Sequence, residues 1–209
     1  MGSLGGRIRY VALGDSYTIG TSVAEHERWP NQLVERMPGL DLVANLGVNG
    51  YTSRDVIDRE LPRLNRLRPD FASLLVGVND VVQRVPVERF RANAAHILDF
   101  LLGPLSADRV VVVTTPDYTV TPQGASYGEP AAQRAGIIRT NTILAEFAGE
   151  RAIRVVDIFD LSRRAADDRS LVARDGLHPS GSQYRLWVDR IAPAVEQLLA
   201  RARPPDPVP

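Results

Sequence analysis

The run VVVVTT at residues 110–115 sets the tightest limit on the fold. It has no polar–apolar alternation, so a strand made from it must be covered on both faces, as in a parallel sheet. Four more runs have strand length and nearly the same apolar character: Ile8–Leu13, Leu42–Leu46, Phe71–Val76 and Ile153–Ile158. Amphipathic stretches separate them. In Val87–Leu102 the residues Phe90, Ala94, Ile97, Leu98 and Leu101 fall on one helical face. Ser53–Leu67 repeats the pattern with Val56, Ile57, Leu61 and Leu64, and Pro62 predicts a kink or a split there. Ala131–Phe147 and Gln183–Ala200 complete the set, and Pro193 predicts a kink or a new first turn in the last. Strand–helix alternation along the whole chain predicts one α/β domain over residues 1–202 with right-handed crossovers.

The longest irregular stretch is Pro116–Pro130, rich in Thr, Pro, Gly and Tyr. It follows a core strand, which predicts a place at the ligand-binding end of the sheet as a lid or specificity loop. The closing residues 203–209, RPPDPVP, are expected to be disordered. No apolar leader precedes the first strand and no window reaches membrane-spanning length, so the chain reads as cytoplasmic, or as secreted if a signal peptide has been removed.

Composition removes several chemistries. The chain has no cysteine, which excludes disulfides, thiolate metal sites and cysteine nucleophiles. It has no lysine either, so Walker-type phosphate loops and Schiff bases are excluded. Formal net charge is zero, which offers no basic field for nucleic acid or anionic lipid.

Four short polar segments follow the strands. VALGDSYTIG places Ser16 just after the first strand, where it is a helix cap or a nucleophile. A serine nucleophile needs a base and an orienter. Of the three histidines, His26 lies in the charged stretch EHER and His96 on a helix flank. His178 lies in RDGLHPSG with Asp175 three residues before it, an offset at which the carboxylate accepts from imidazole Nδ1 and leaves Nε2 free. NLGVNGYTS (45–53) and GVND (77–80) offer backbone amides at Gly47 or Gly50 and an uncharged side-chain donor at Asn79. Taken singly, the glycines also read as turn residues and Asn79 as a cap. In a parallel sheet, however, the carboxyl ends of the strands meet at one crevice, and all four segments share that edge.

GDS at 14–16, the glycine of NGYT at 49–52, GVND at 77–80 and DGLHPS at 175–180 resemble, in order and spacing, the four blocks of the SGNH hydrolases, also called GDSL lipases and esterases. The likeness runs from the first strand to the last helix. It implies a three-layer α/β/α, flavodoxin-like fold with five parallel strands in the order 2-1-3-4-5. It does not imply the α/β-hydrolase fold. Carried over, it implies Ser16 as nucleophile, His178 as base and then acid, and Asp175 as orienter. The oxyanion donors would be Ser16 N–H, Gly50 N–H (with Gly47 second) and Asn79. Asp15 and Asp80 are expected to bond turns and loops. Tyr17, Tyr51, Tyr118 and Tyr127 are candidate lining residues.

The expected reaction is hydrolysis of a small ester, short acyl chains favoured, through an acyl-enzyme. No cofactor, metal, nucleic-acid partner or membrane insertion is expected. The same residues would serve an acyltransferase, thioesterase or lysophospholipase. A flavodoxin-like binding module is the non-enzymatic rival. A receiver domain would need a phospho-acceptor Asp at the third strand and a lysine after the fifth, and this chain ends its third strand in Gly77–Asn79 and lacks lysine.

Overall fold

The structure, a computed structural model, describes residues 7–201. In chain order its main elements are β1 (Ile8–Gly14), α1 (Ser16–Ile19), α2 (Trp29–Arg36), β2 (Leu40–Asn45), α3 (Ser53–Asp55), α4 (Leu61–Leu67), β3 (Phe71–Leu75), α5 (Val78–Val82), α6 (Val87–Leu101), β4 (Val110–Val113), α7 (Pro130–Glu150), β5 (Arg154–Val156), α8 (Phe159–Arg163) and α9 (Gly181–Arg201). The strands pair in parallel in the order β2-β1-β3-β4-β5. That is the order the family likeness implies. The expected tail, residues 203–209, lies outside the described residues.

The unalternated valines work as their pattern requires. Val111 and Val113 join the core on the α2/α9 side, with Trp29, Trp187 and Tyr184. Val110 and Val112 join the core on the α4/α6 side, with Leu61, Leu64, Ile97 and Leu98. Both faces of β4 are therefore dry, and helices cover the sheet on both sides.

One expected break is present and two elements depart from the sequence reading. The 53–67 stretch is split: a π-helical turn over Val56–Glu60 separates α3 from α4. Pro62 stands at the start of α4, with no amide for the preceding turn and a ring that blocks its regular continuation, so the chain widens just before it. Pro193, by contrast, sits inside an unbroken α9. Its helix is packed along one side on the sheet, which outweighs one missing bond. Helix α2 was not anticipated; at eight residues it is too short for a clear period, and its signal is Pro30 in the first turn.

Candidate active site

The turn that carries Ser16 is built from the end of β1. Asp15 caps α1, its Oδ1 accepting the Tyr17 amide at 2.9 Å, which is the turn bonding expected of it. Ser16 is the first residue of α1 and is 7% exposed. From beneath, the buried Glu60 at the end of the π-turn accepts the Gly14 amide through Oε2 at 3.0 Å.

Two carboxyls thus lie buried under the turn. Burial, with the charge of Asp15, pushes Glu60 up to about 9 against the pull of the Gly14 amide. Burial, with the charge of Asp80, raises Asp15 to about 7. A folded-state pKa above the unfolded one stabilises the fold below the unfolded value, and that contribution is lost as pH rises through the folded value. For Glu60 the window runs from the ordinary 4.5 to about 9. Glu60→Gln keeps an acceptor for Gly14 and cannot ionise. Its melting temperature is expected to fall several degrees less than that of wild type between pH 6 and pH 9, measured by thermal denaturation at both. Equal falls would show that Glu60 does not titrate in this window.

The second and third loops are tied to each other. Asn79 donates one Nδ2 hydrogen to the Tyr51 carbonyl at 2.9 Å, and the other remains for the cavity. Gln83 Nε2 holds the Gly50 carbonyl at 2.8 Å. Asp80 receives the amide and the hydroxyl of Ser53 at 2.9 and 2.5 Å, and Asn93 donates to that hydroxyl. Asp80 therefore ties the loops, as its position suggested. Gly50 has φ +81 and open space where a Cβ would stand, and it borders the cavity. Gly47 is a different glycine. A Cβ there would lie 2.7 Å from the Asp15 carbonyl, and its amide is already given to Asn45 Oδ1. Its role is close approach to α1.

The fourth loop is closed at its neck by the Ala173 amide on the His178 carbonyl at 2.7 Å and by a bridge between Val172 and Pro179. Inside it, Asp175 Oδ2 meets His178 Nδ1 at 2.7 Å, and Oδ1 accepts the amides of Leu177 and His178. Burial opposes ionisation of Asp175, but these bonds and one from Ser22 hold its carboxyl down to about 2. An ionised Asp175 can only accept, so Nδ1 carries a hydrogen, and in a neutral ring the free lone pair is then on Nε2. The His178 ring leans on Tyr17, centroids 5.6 Å apart, and Tyr17 leans on Trp187.

Ser16, Gly50, Asn79 and His178 line one cavity of about 260 Å³. Val78, Val82 and Leu177 add apolar wall, and Tyr17, Tyr118 and Tyr127 add aromatic wall. Tyr118 gives its hydroxyl to Gln133 and packs edge-on against Tyr127 at the rim. Tyr51 does not line the cavity; its ring lies under the Arg59 guanidinium, and only its carbonyl serves the site, through Asn79. His26 and His96 are exposed elsewhere. The 116–130 segment contains two 3₁₀ turns, Tyr118–Val120 and Gly124–Tyr127. It is anchored by Asp117 to Arg134 and by the Gln123 amide to the Gly176 carbonyl. It contributes Tyr118 and Tyr127 to the cavity wall. Sequence reasoning missed Glu60, Gln83 and Ser22, whose partners lie 46, 33 and 153 residues away and leave no local pattern.

The family described as "GDSL-like Lipase/Acylhydrolase family" matches residues 12–186. No curated protein matches the sequence. Among solved structures, a protein of the G-D-S-L family from Desulfitobacterium hafniense DCB-2 superimposes with a TM-score of 0.74 at 20% identity, covering 90% of this chain and 99% of that one. The psychrotrophic esterase EstA from Pseudoalteromonas sp. gives 0.68 at 17%, covering 92% and 98%. A variant of Axe2, an acetyl xylan esterase from Geobacillus stearothermophilus, gives 0.70 at 16%, covering 91% and 95%. At these identities the structural likenesses establish a shared fold.

Proposed function

Since the chain belongs to the GDSL-like lipase/acylhydrolase family, we propose that residues 1–202 form a single serine esterase unit acting on small, uncharged carboxylic esters with short acyl chains. The observation that carries this reading is the convergence of Ser16, Gly50, Asn79 and His178 on one cavity, with Asp175 bonded to the far side of the imidazole. The cavity of about 260 Å³ lies below the usual range for drug-sized ligands, and among the described residues its lining holds no carboxylate or guanidinium to recognise a charged head group.

Ser16 Oγ attacks the ester carbonyl while His178 Nε2 takes its proton. Asp175 holds the ring and stabilises the imidazolium that forms. The negative oxygen of the tetrahedral intermediate is met by the amides of Ser16 and Gly50 and by the second Nδ2 hydrogen of Asn79. His178 returns the proton to the departing alcohol. Water then attacks the acyl-Ser16 ester by the same path, and the acid leaves.

The test is turnover of p-nitrophenyl esters from acetate to palmitate. Rates that peak at acetate or butyrate support the reading. A peak at palmitate overturns the short-chain preference, and no turnover of any ester overturns esterase activity. Asn79→Ala is expected to lower kcat by roughly 10²–10³-fold with KM little changed, because its donor acts on charge that develops only in the transition state. A loss confined to KM would assign Asn79 to ground-state binding instead.

A further inference from the structure

We infer that Ser22 is a positioning residue of this site, its hydroxyl clamping the carboxylate of Asp175 so that the carboxylate stays aimed at His178. The inference rests on the triad reading above. Ser22 Oγ donates to Asp175 Oδ2 at 2.6 Å. That same oxygen accepts His178 Nδ1 at 2.7 Å. Since Oδ1 is held by two amides of its own loop, Ser22 is the only described residue outside that loop that grips the carboxylate.

The backbone around Ser22 makes the contact informative. Ser22 has φ +68, in the left-handed region that costs a residue with a side chain free energy and favours glycine. Such strain persists where the surroundings enforce it, and it clusters at functional sites. Here the loop after α1 carries two adjacent hydroxyls that reach in different directions. Thr21 Oγ1 donates to Asn49 Oδ1 at 2.5 Å, next to Gly50. Ser22 reaches the Asp175 loop. The segment that follows the nucleophile helix therefore stitches together the two loops that carry an oxyanion donor and the base.

The contact has a plain chemical use. When His178 takes the Ser16 proton, the ion pair with Asp175 must form without the carboxylate swinging toward water, to which 29% of its side chain is exposed. A hydroxyl fixed on Oδ2 restricts that rotation and supports the ionised form.

Two variants separate this role from a structural one. Ser22→Gly removes the hydroxyl and relieves the strained backbone. Ser22→Ala removes the hydroxyl and keeps the strain. If Ser22 positions Asp175, both lose about tenfold in kcat on p-nitrophenyl acetate with KM unchanged, even though Ser22→Gly melts at or above the wild-type temperature and Ser22→Ala at or below it. A kcat that follows the melting temperature across the two, or a fully active Ser22→Gly, overturns the proposal. Ser16→Ala in the same assay distinguishes the two levels. If Ser16→Ala is inactive and Ser22→Gly is fully active, the Ser22 proposal alone fails. If Ser16→Ala retains turnover, the triad reading fails and takes this proposal with it.

Discussion

Ser16→Ala is expected to lower kcat on p-nitrophenyl acetate by about 10⁴–10⁶-fold while leaving the melting temperature near that of wild type. Ser16 opens α1 through its backbone, the cap belonging to Asp15, so the hydroxyl can go without unfolding the turn. On the proposed mechanism, what is lost is the atom that would form the acyl-enzyme. His178→Ala should cost nearly as much, because an unactivated serine hydroxyl is a weak nucleophile. The double variant should be scarcely worse than either single one, since the two act as a unit. The residual rate would come from the amides of Ser16 and Gly50 and from Asn79, which remain in place. Steady-state kinetics on the three variants checks this. A Ser16→Ala protein within tenfold of wild type would reduce Ser16 to a turn residue.

The second large effect is on stability. Trp187→Ala should lower the unfolding free energy by about 3–5 kcal/mol, a large share of the roughly 5–15 kcal/mol that holds a domain together. Trp187 is fully buried in the core between α9 and the sheet. It packs edge-on against Tyr184 at 5.0 Å and supports Tyr17 at 6.4 Å. The neighbours are large ring systems held by two helices, α9 and α1, so the cavity would close only in part. Since Tyr17 in turn supports the His178 ring, the folded fraction of Trp187→Ala should also turn over ester more slowly. Trp187→Phe should recover most of both losses. Chemical denaturation gives the first quantity, and a loss under 1 kcal/mol would show that the core relaxes around the gap.

Much of this was legible in the sequence, for identifiable reasons. Strand β4 could be read because two-sided burial leaves no polar residue in VVVV. The split before α4 could be read because Pro62 has no amide to give the preceding turn and its ring crowds that turn's carbonyl. Asp175 and His178 could be paired because both lie in one loop, three residues apart. What escaped depends on contacts between distant segments. Nothing around residue 22 announces a bond to residue 175, and nothing around residue 60 announces one to residue 14. Tyr51 misled for a related reason. Its neighbour Gly50 faces the cavity, but the chain turns at that glycine and carries the next ring away toward Arg59. The strand order came from the family likeness, because alternation of strands and helices fixes parallel pairing and leaves several orders open.

The parallel sheet gives the molecule a working end and an idle end. Ser16, Gly50, Asn79 and the His178 loop gather beyond the carboxyl ends of the strands. The returns that bring the chain back to the start of each strand, around residues 37–39, 68–70, 102–109 and 151–153, lie at the opposite edge. Gly103 and Pro104 are exposed there. A solid support coupled at that corner, or a second domain spliced into it, would point the cavity away from the attachment and leave the approach of substrate open. The same graft on the 116–130 wall would stand in the doorway.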